Sequence, residues 1–430
     1  MTKRLGSVSG RALRTSLATG ACTLMLAASA AAQTPAAPLQ QALKTAATAA
    51  AAETAAVADP QAPAPPAAPA APAAPPENPV LTFFKNTELS GFVDAYYTYN
   101  FNKPAKPCAT IGGVAVFNCL HNFDVAHNAF SLNLAEVALE KKPTPDSRGG
   151  FRVDLDYGPT ASMVAAFDPG GTAIYQNIQQ AYASYLAPTK KGSLQFDFGK
   201  FVTHNGAEVI ETKDNWNYSR GLLFAWAIPY YHSGVRATYS PNDKVSVMGE
   251  VTNGWNNVVE NNTGKTVGAE VLYKPNAKAT ITLNYTGGPE QTDDNSDWRH
   301  LIDAVVGYTV SPKVSLLFNY DVAKDTVSGT SVMWQGVAGY LKYTPNAWFA
   351  LSPRYEYFKD RDGFSTGTVQ KLQEVTLTLE FKHKDGFLTR VEYRGDKSDH
   401  TYFSKRTSQM VKSQNVLTVG WIYAFSSKTP

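Results

Sequence analysis

Polar side chains, many of them charged, recur at every second position in much of this sequence, with apolar side chains between them. In the segment FRVDLDY, for example, Arg152, Asp154 and Asp156 alternate with apolar residues. Fixed charges that line a confined, water-filled passage concentrate ions of the opposite sign and so select which ions pass. The charged residues that this alternation places on the polar face are Asp94, Arg152, Asp154, Asp156, Asp197, Arg236, Glu250, Glu270, Asp303, Arg354, Glu356, Glu374, Arg390, Glu392 and Arg394.

Three basic residues of this set, Arg354, Arg390 and Arg394, fall on two segments near the carboxyl end. In one interpretation they form a basic ladder that faces carboxylates across the passage, so that removing them shifts ion preference toward cations. In the other interpretation they are ordinary ion pairs that hold the wall together. Both interpretations place the three side chains on the polar face.

The alternation runs in segments of about ten residues from Glu88 onward, and a period of two is typical of β-strands. Short connections rich in Pro, Asn, Asp and Gly, such as SPNDK at 240–244, alternate with long ones. The long connections lie near 102–128, 159–174, 203–230, 255–264, 287–298, 323–331, 359–370 and 397–412. Sixteen strands are predicted to begin near residues 88, 129, 150, 175, 193, 231, 244, 265, 278, 299, 313, 332, 347, 371, 386 and 413.

Sixteen charged strand faces carry more charge than one solvated sheet surface would hold, whereas a wide barrel has a water-filled lumen to accept it. After residue 32 no run of about 18 apolar residues occurs, which excludes membrane-spanning helices. The predicted fold is therefore all-β: a transmembrane antiparallel barrel of sixteen strands, with short periplasmic turns and long extracellular loops. The second strand changes parity, which predicts a β-bulge near Ala135.

The first 80 residues of the sequence have a different composition. Residues 1–32 combine four basic residues, an apolar run and small residues, an order that predicts a cleaved signal peptide. That segment holds no acidic residue, so its removal changes the formal net charge from +3 to −1, and nothing favours a nucleic-acid partner. Residues 33–80 are rich in Ala and Pro and predict a disordered periplasmic spacer, which leaves 81–430 as the barrel domain.

Cys108 and Cys119 are the two cysteines that remain after the predicted cleavage. Two cysteines in one glycine-containing loop of an exported chain predict a disulfide. The seven histidines show no paired spacing typical of a metal site. GFSTG at 363–367 matches the serine-hydrolase motif but lacks the strand-to-helix turn that this motif needs. The sequence predicts no metal, no cofactor and no enzymatic activity.

Three stretches of the sequence resemble the beta-barrel porin-2 family, also called OmpL-like porins. They are LSGFVDAYYTYNFNKP at 89–104, FSLNLAEVALEKKP at 130–143 and the long stretch from GKFVTHNGAEV to HSGVRATY at 199–239. The resemblance covers roughly residues 88–425 and implies an outer-membrane location and pore activity. One departure is that Phe425 is followed by SSKTP, whereas many outer-membrane barrels end on an aromatic residue.

The third long connection, 203–230, contains both signs of charge together with Trp216 and Trp226. In general porins a loop at this position in the chain folds into the barrel, so by analogy we expect this segment to narrow the lumen. The alternative is an external loop that caps the barrel. The candidate constriction residues are Glu208, Glu211, Asp214 and Arg220.

The expected function is passive diffusion of small hydrophilic solutes or ions across the outer membrane of a Gram-negative-type bacterium. One alternative is a non-conducting structural or adhesive barrel. A less favoured alternative is an outer-membrane enzyme, which would need a Ser–His pair on the lipid face that the alternation does not show. The expected partners are outer-membrane lipid, lipopolysaccharide, the solutes and, by analogy with other sixteen-stranded porins, further copies of this chain in a homotrimer.

Overall fold

The computed structural model describes residues 86–166, 168 and 174–428, so the predicted signal peptide and spacer lie outside the described residues. Sixteen antiparallel strands form a closed barrel, which confirms the predicted fold class. The barrel strands are β1 (Glu88–Asn100), β4 (Ala129–Lys141), β5 (Gly149–Tyr157), β6 (Ile178–Ala187), β7 (Ser193–Val202), β8 (Tyr231–Asn242), β9 (Val245–Thr252), β10 (Thr266–Asn276), β11 (Ala279–Pro289), β12 (Trp298–Ser311), β13 (Val314–Val327), β14 (Thr330–Asn346), β15 (Phe349–Asp360), β16 (Gln370–Lys382), β17 (Phe387–Ser398) and β20 (Ser413–Ser426).

Each barrel strand pairs with its neighbour along the chain, and β1 closes the ring against β20. The closing register runs from Ser90 opposite Ser426 to Asn100 opposite Val416. Closure leaves no unpaired strand edge, which a lipid environment would penalise because it offers no hydrogen-bonding partners. The predicted strand starts all fall within three residues of the observed ones.

Side chains on the barrel strands show polar residues buried and apolar residues exposed, the reverse of a soluble sheet. On β16, Glu374 and Thr376 are fully buried, whereas Val375 is 53% and Leu377 42% exposed. An apolar outer face and a polar inner face are the pattern of an outer-membrane barrel. Within the described ranges, no helix has both the length and the apolar character needed to cross a bilayer.

Aromatic side chains collect on the outer surface near the end that carries the short turns. This band is typical of the membrane–water interface, where amphipathic rings are favoured. Its exposed members at the turn end are Tyr185, Tyr239, Tyr273, Tyr308, Tyr343, Trp348, Phe387, Tyr423 and Phe425.

Two local features of the strands differ from or refine the prediction. The bulge on β4 lies at Asn133, where the register with β1 shifts between Asp94 and Ala95. The prediction of a long loop at 323–331 is wrong. There β13 and β14 continue to a two-residue turn at Ser328 and Gly329, both with positive φ (50° and 74°), as tight hairpins require.

Short hairpins and helices lie in the loops at the other end of the barrel. Two hairpins, β2–β3 (Ala109–Ile111 and Val114–Val116) and β18–β19 (Phe403–Lys405 and Gln409–Val411), lie in the first and last loops. Two short helices, α1 (Pro159–Val164) and α2 (Leu222–Trp226), lie in the second and third.

The predicted disulfide is present in the first loop. Cys108 and Cys119 are bonded, with their Cα atoms 5.9 Å apart, and they bracket the β2–β3 hairpin.

Candidate functional site

Residues 203–230, which we call the inserted loop, join β7 to β8 and lie across the interior of the barrel. The two ends of the loop meet at the wall, where the Thr203 amide donates to the Tyr230 carbonyl at 3.0 Å. Between these ends every residue is buried except Lys213 and Asp214, which are half-buried. The loop reaches the polar faces of strands far away in the sequence, a position inside the lumen rather than above it.

Arg390, on β17, holds the middle of the inserted loop. Its guanidinium donates to the backbone carbonyls of Thr212 at 2.6 Å, Asn215 at 2.7 Å and Asn217 at 3.1 Å. It also pairs with Glu380 on β16 at 2.6 Å. Because one side chain meets three loop carbonyls, the loop backbone has no freedom at this point to swing away from the wall.

Arg354 and Arg394 complete the attachment to the same wall. Arg354 pairs with Glu374 on β16 at 2.9 Å and with Glu208 of the loop at 2.7 Å, and it donates to the Ser219 carbonyl at 2.7 Å. Arg394 donates to the Arg220 carbonyl at 2.6 Å. Arg394 also pairs with Asp396 on its own strand at 2.9 Å. The three arginines therefore meet carboxylates of the same wall and of the loop, not carboxylates across an open passage.

Carboxylates of the wall accept hydrogen bonds from backbone amides of the loop. Glu392 accepts from Tyr218 at 2.5 Å and from Ser219 at 2.9 Å, and Glu356 accepts from Leu222 at the start of α2. A Cβ at residue 221 would lie only 2.3 Å from Oε1 of Glu356, so Gly221 is needed for this approach. The wall thus binds both the carbonyl groups and the amide groups of the loop backbone.

The loop is also tied to other parts of the barrel. Asp94 on β1 accepts from the Tyr218 hydroxyl at 2.8 Å and from Thr212 at 2.6 Å. On the β12 side, Asp303 accepts from the Gly206 amide at 3.0 Å. Attachments on well-separated strands fix the loop across the lumen rather than along one wall.

Within the loop, the four candidate constriction residues have different surroundings. Glu208 is paired with Arg354, as described above, and burial raises its pKa although that arginine opposes the shift. Glu211 accepts from Gln179 of β6 at 2.5 Å. Arg220 is buried and donates to the Tyr218 carbonyl at 2.7 Å. Asp214 is half-buried and pairs with Lys213, so this pair faces the remaining open space.

The other predicted residues lie on the wall from β5 to β10. Arg152 pairs with Asp154 at 2.9 Å, and Arg236 pairs with Asp197 at 3.3 Å. Asp156 and Glu250 are buried and Glu270 is partly exposed.

Open space remains at the turn end of the lumen, which we call the vestibule. It is lined by Arg152 and Glu140, which are 29% and 23% exposed, and by Lys342 and Lys382, which are 18% and 42% exposed and both lie within 4 Å of Glu380. The sequence analysis missed the two lysines, although each occupies an inward-facing position of its own strand.

Folding also assembles a group that the sequence analysis did not predict. His204, His232 and Glu250 place one ligand atom each within 4.8 Å of one another. We predicted no metal site because no two histidines are suitably spaced along the chain. The spacing rule applies to one helix or hairpin, whereas these residues come from a loop and two strands.

Three solved structures share this fold. The outer-membrane channel DcaP of Acinetobacter baumannii has a TM-score of 0.52 and 12% identity, covering 79% of this chain and 97% of that chain. The anion-selective porin from Comamonas acidovorans has a TM-score of 0.52 and 12% identity, covering 79% and 99%. The trimer form of OmpT, an outer membrane protein of Vibrio cholerae, has a TM-score of 0.50 and 12% identity, covering 79% and 99%.

At such low identity these likenesses concern the fold alone. No curated relative matches the sequence at a significant level. Residues 86–425, which include all of the barrel except its last residue, match the family model described as "Putative beta-barrel porin-2, OmpL-like". The inward-facing charge, the closed sixteen-stranded ring and this match agree, and the chain belongs to the beta-barrel porin-2, OmpL-like family of outer-membrane porins.

Proposed function

We propose that the protein lets small hydrophilic solutes or ions diffuse passively through its lumen, past the inserted loop. The observation that carries the proposal is a closed barrel with a polar inner face and a buried segment, 203–230, held across it. A segment at that position narrows the route and sets the size of what passes. The fixed charges that remain in contact with open space determine whether anions or cations pass preferentially.

The vestibule supports a preference for anions. Arg152, Lys342 and Lys382 are partly exposed, whereas Asp154 and Glu380 beside them are buried. The partly exposed carboxylate of Glu140, next to Arg152, offsets one of these three cations. A solute entering from the turn end therefore meets an excess of cationic groups. Fixed positive charge in a confined space raises the local concentration of anions.

A second candidate function is a barrel that does not conduct and acts through its loops. The tight packing of the inserted loop against Arg354, Arg390 and Arg394 favours it, because these contacts occupy the lumen beside β15 and β17. The two candidates differ in whether ions cross the native protein.

Planar-bilayer recordings of the purified protein separate the two candidates. Passive diffusion predicts ohmic single-channel steps, and in a KCl gradient a reversal potential of the sign that favours chloride. Complete absence of steps from folded protein would favour the non-conducting barrel. In addition, a variant lacking residues 209–219 should show larger steps, and unchanged steps would remove the loop from the account of the constriction.

We also propose that the mature protein is exported by a cleaved signal peptide, lies among outer-membrane lipid and lipopolysaccharide, and assembles as a homotrimer. The trimer form of OmpT, which shares the fold, supports the last point. Native mass spectrometry from detergent measures the assembly directly. A mass of one chain under conditions that keep the barrel folded would contradict the trimer.

A further inference from the structure

We propose that His204, His232 and Glu250 form a binding site for a divalent transition-metal ion of the zinc class, which clips the inserted loop to the barrel wall. His204 is the second residue of the inserted loop. His232 lies at the start of β8 and Glu250 near the end of β9. The site therefore joins the root of the loop to two neighbouring strands.

The separations of the ligand atoms suit a four-coordinate ion. Nδ1 of His204 lies 3.3 Å from Oε1 of Glu250, and Nε2 of His232 lies 3.8 Å from the same oxygen. All three ligand atoms are within 4.8 Å of one another. Tetrahedral zinc with bonds of about 2.0–2.1 Å places its ligand atoms roughly 3.3 Å apart. One edge is already at this length, and the others need side-chain movements of at most about 1.5 Å.

Backbone carbonyls orient both imidazole rings. Nε2 of His204 lies 3.1 Å from the Tyr285 carbonyl, and Nδ1 of His232 lies 3.1 Å from the Gly254 carbonyl. A carbonyl only accepts, so these two nitrogens carry the hydrogens, which leaves the opposite nitrogens as lone-pair donors toward Glu250. Metal-binding histidines are commonly oriented by such outer contacts.

The atoms that point at one another need a cation between them. Within the part of the chain that the structure describes, Nδ1 of His204 and both carboxylate oxygens of Glu250 are buried without a hydrogen-bond partner. Nε2 of His232 has one competitor, the Thr203 hydroxyl at 3.0 Å, which can rotate away. Buried lone pairs facing a carboxylate are costly unless a positive charge satisfies them.

A glycine provides the room for this group. A Cβ at Gly268 on β10 would lie 2.7 Å from Oε1 of Glu250 and 2.7 Å from Cε1 of His204. Gly268→Ala is therefore a variant that crowds the site without removing a ligand.

Two imidazoles and one carboxylate are the donor set that zinc and its neighbours prefer, whereas calcium and magnesium require mostly oxygen ligands. An ion bound only to the folded protein also stabilises it by mass action. Because His204 belongs to the loop and the other two ligands to the wall, a bound ion holds the loop root in place.

The test uses the full-length protein, folded in detergent, stripped with a chelator and titrated with zinc chloride by calorimetry. We expect one ion per chain. His232→Asn and Glu250→Gln should weaken binding by more than the roughly 10–100-fold that loss of an outer contact causes. Gly268→Ala should weaken it as well, and His400→Asn, an exposed loop position, should leave it unchanged.

Folding of every variant is checked first by heat-modifiable electrophoretic mobility, so that lost binding is not confused with lost structure. Cobalt(II) provides a second readout, since a four-coordinate ion at these ligands gives intense visible absorption that Glu250→Gln should abolish. Stoichiometric binding by the native protein that both ligand variants lose supports the site. Native protein that binds no zinc, or binds it as Glu250→Gln does, overturns it in favour of a proton held between His204 and Glu250. None of these readouts depends on conductance.

Discussion

Inward-facing charged side chains have different surroundings at the two ends of the barrel interior, although the same alternation places them there. At the loop end, Arg354, Glu356 and Arg394 are fully buried because the inserted loop covers them. At the turn end, Arg152 and Lys382 keep part of their surface in contact with open space. Inward orientation alone therefore does not make a residue part of the solute path. A charge that holds a segment and a charge that faces water can lie on neighbouring strands, as Arg354 on β15 and Lys382 on β16 do, and follow the same sequence pattern.

The largest expected effect comes from breaking the anchor at the loop end. Arg354→Gln removes the charge that satisfies Glu374 at 2.9 Å and Glu208 at 2.7 Å, all of them buried. Leaving buried carboxylates without their partner should lower the free energy of unfolding by about 3–5 kcal/mol. Urea unfolding in lipid vesicles, followed by tryptophan fluorescence, measures this loss, and single-channel steps should grow as the loop loosens. A loss no larger than that of Lys382→Gln would remove the distinction between the two ends.

The next-largest effect tests which face of the strands points to lipid and which points to the lumen. The descriptions of the loop end and of the turn end both depend on this assignment. Leu377→Arg places a charge on the outer face near the middle of β16 and should cost about 2–4 kcal/mol of unfolding free energy. Gln373→Arg lies on the same outer face but nearer the loop end, and its cost should be about 0–1 kcal/mol. The same vesicle unfolding experiment compares the two, and equal costs would contradict a lipid-facing outer surface.

A smaller effect, on selectivity rather than stability, is expected at the turn end. Replacing both Lys342 and Lys382 by Gln removes two cations from the vestibule and should move the reversal potential toward cations. Lys384→Gln, in the exposed turn outside the lumen, is the matched control and should leave the potential unchanged. If the control shifts the potential as much as the double variant, the vestibule is not the selective region.

The smallest effect concerns the first loop, which closes over the loop end. His121 there contacts Asp124 at 2.8 Å and Asp396 on β17 at 2.9 Å, with Arg394 also nearby. Burial and Arg394 act to lower the pKa of His121, but the two carboxylates outweigh them and raise it above its usual value of 6.5. A raised pKa means that the contact stabilises fully below that usual value and is lost as pH rises through the raised one.

Amide hydrogen exchange of residues 117–126, corrected for the intrinsic effect of pH, measures this dependence. Protection should fall as the solution becomes alkaline in the native protein and should show no such change in His121→Gln. A pH dependence that persists in the variant would assign it to another group.

Much of the barrel could be predicted because its signals are local. Alternation and turn residues lie within about ten positions of each other, so strand number and starts follow from them. The failure at 323–331 is also local: Lys324 and Thr326 are polar residues on the outer face, so the polar–apolar alternation ends there although the strand continues to the turn at Ser328–Gly329.

The arrangement of the site could be predicted only in part. Parity indicates that Arg390 points inward, but no pattern indicates that it meets the carbonyl of Thr212, because that contact joins residues 178 positions apart. The group of His204, His232 and Glu250 was missed for the same reason. Contacts between a long loop and a distant wall depend on the loop's path, which side-chain alternation does not encode.

The ring closure between β1 and β20 also constrains the order of assembly. Thr98 and Thr418 face each other with their hydroxyl oxygens 3.1 Å apart, although 320 residues separate them. Until β20 has paired with β1, the incomplete sheet keeps two open edges that can pair with other chains. Pairing of residues so far apart in the sequence is slow, because the chain must be brought together before the contact can form. The rate of barrel formation should therefore depend on the delivery of β20 to β1.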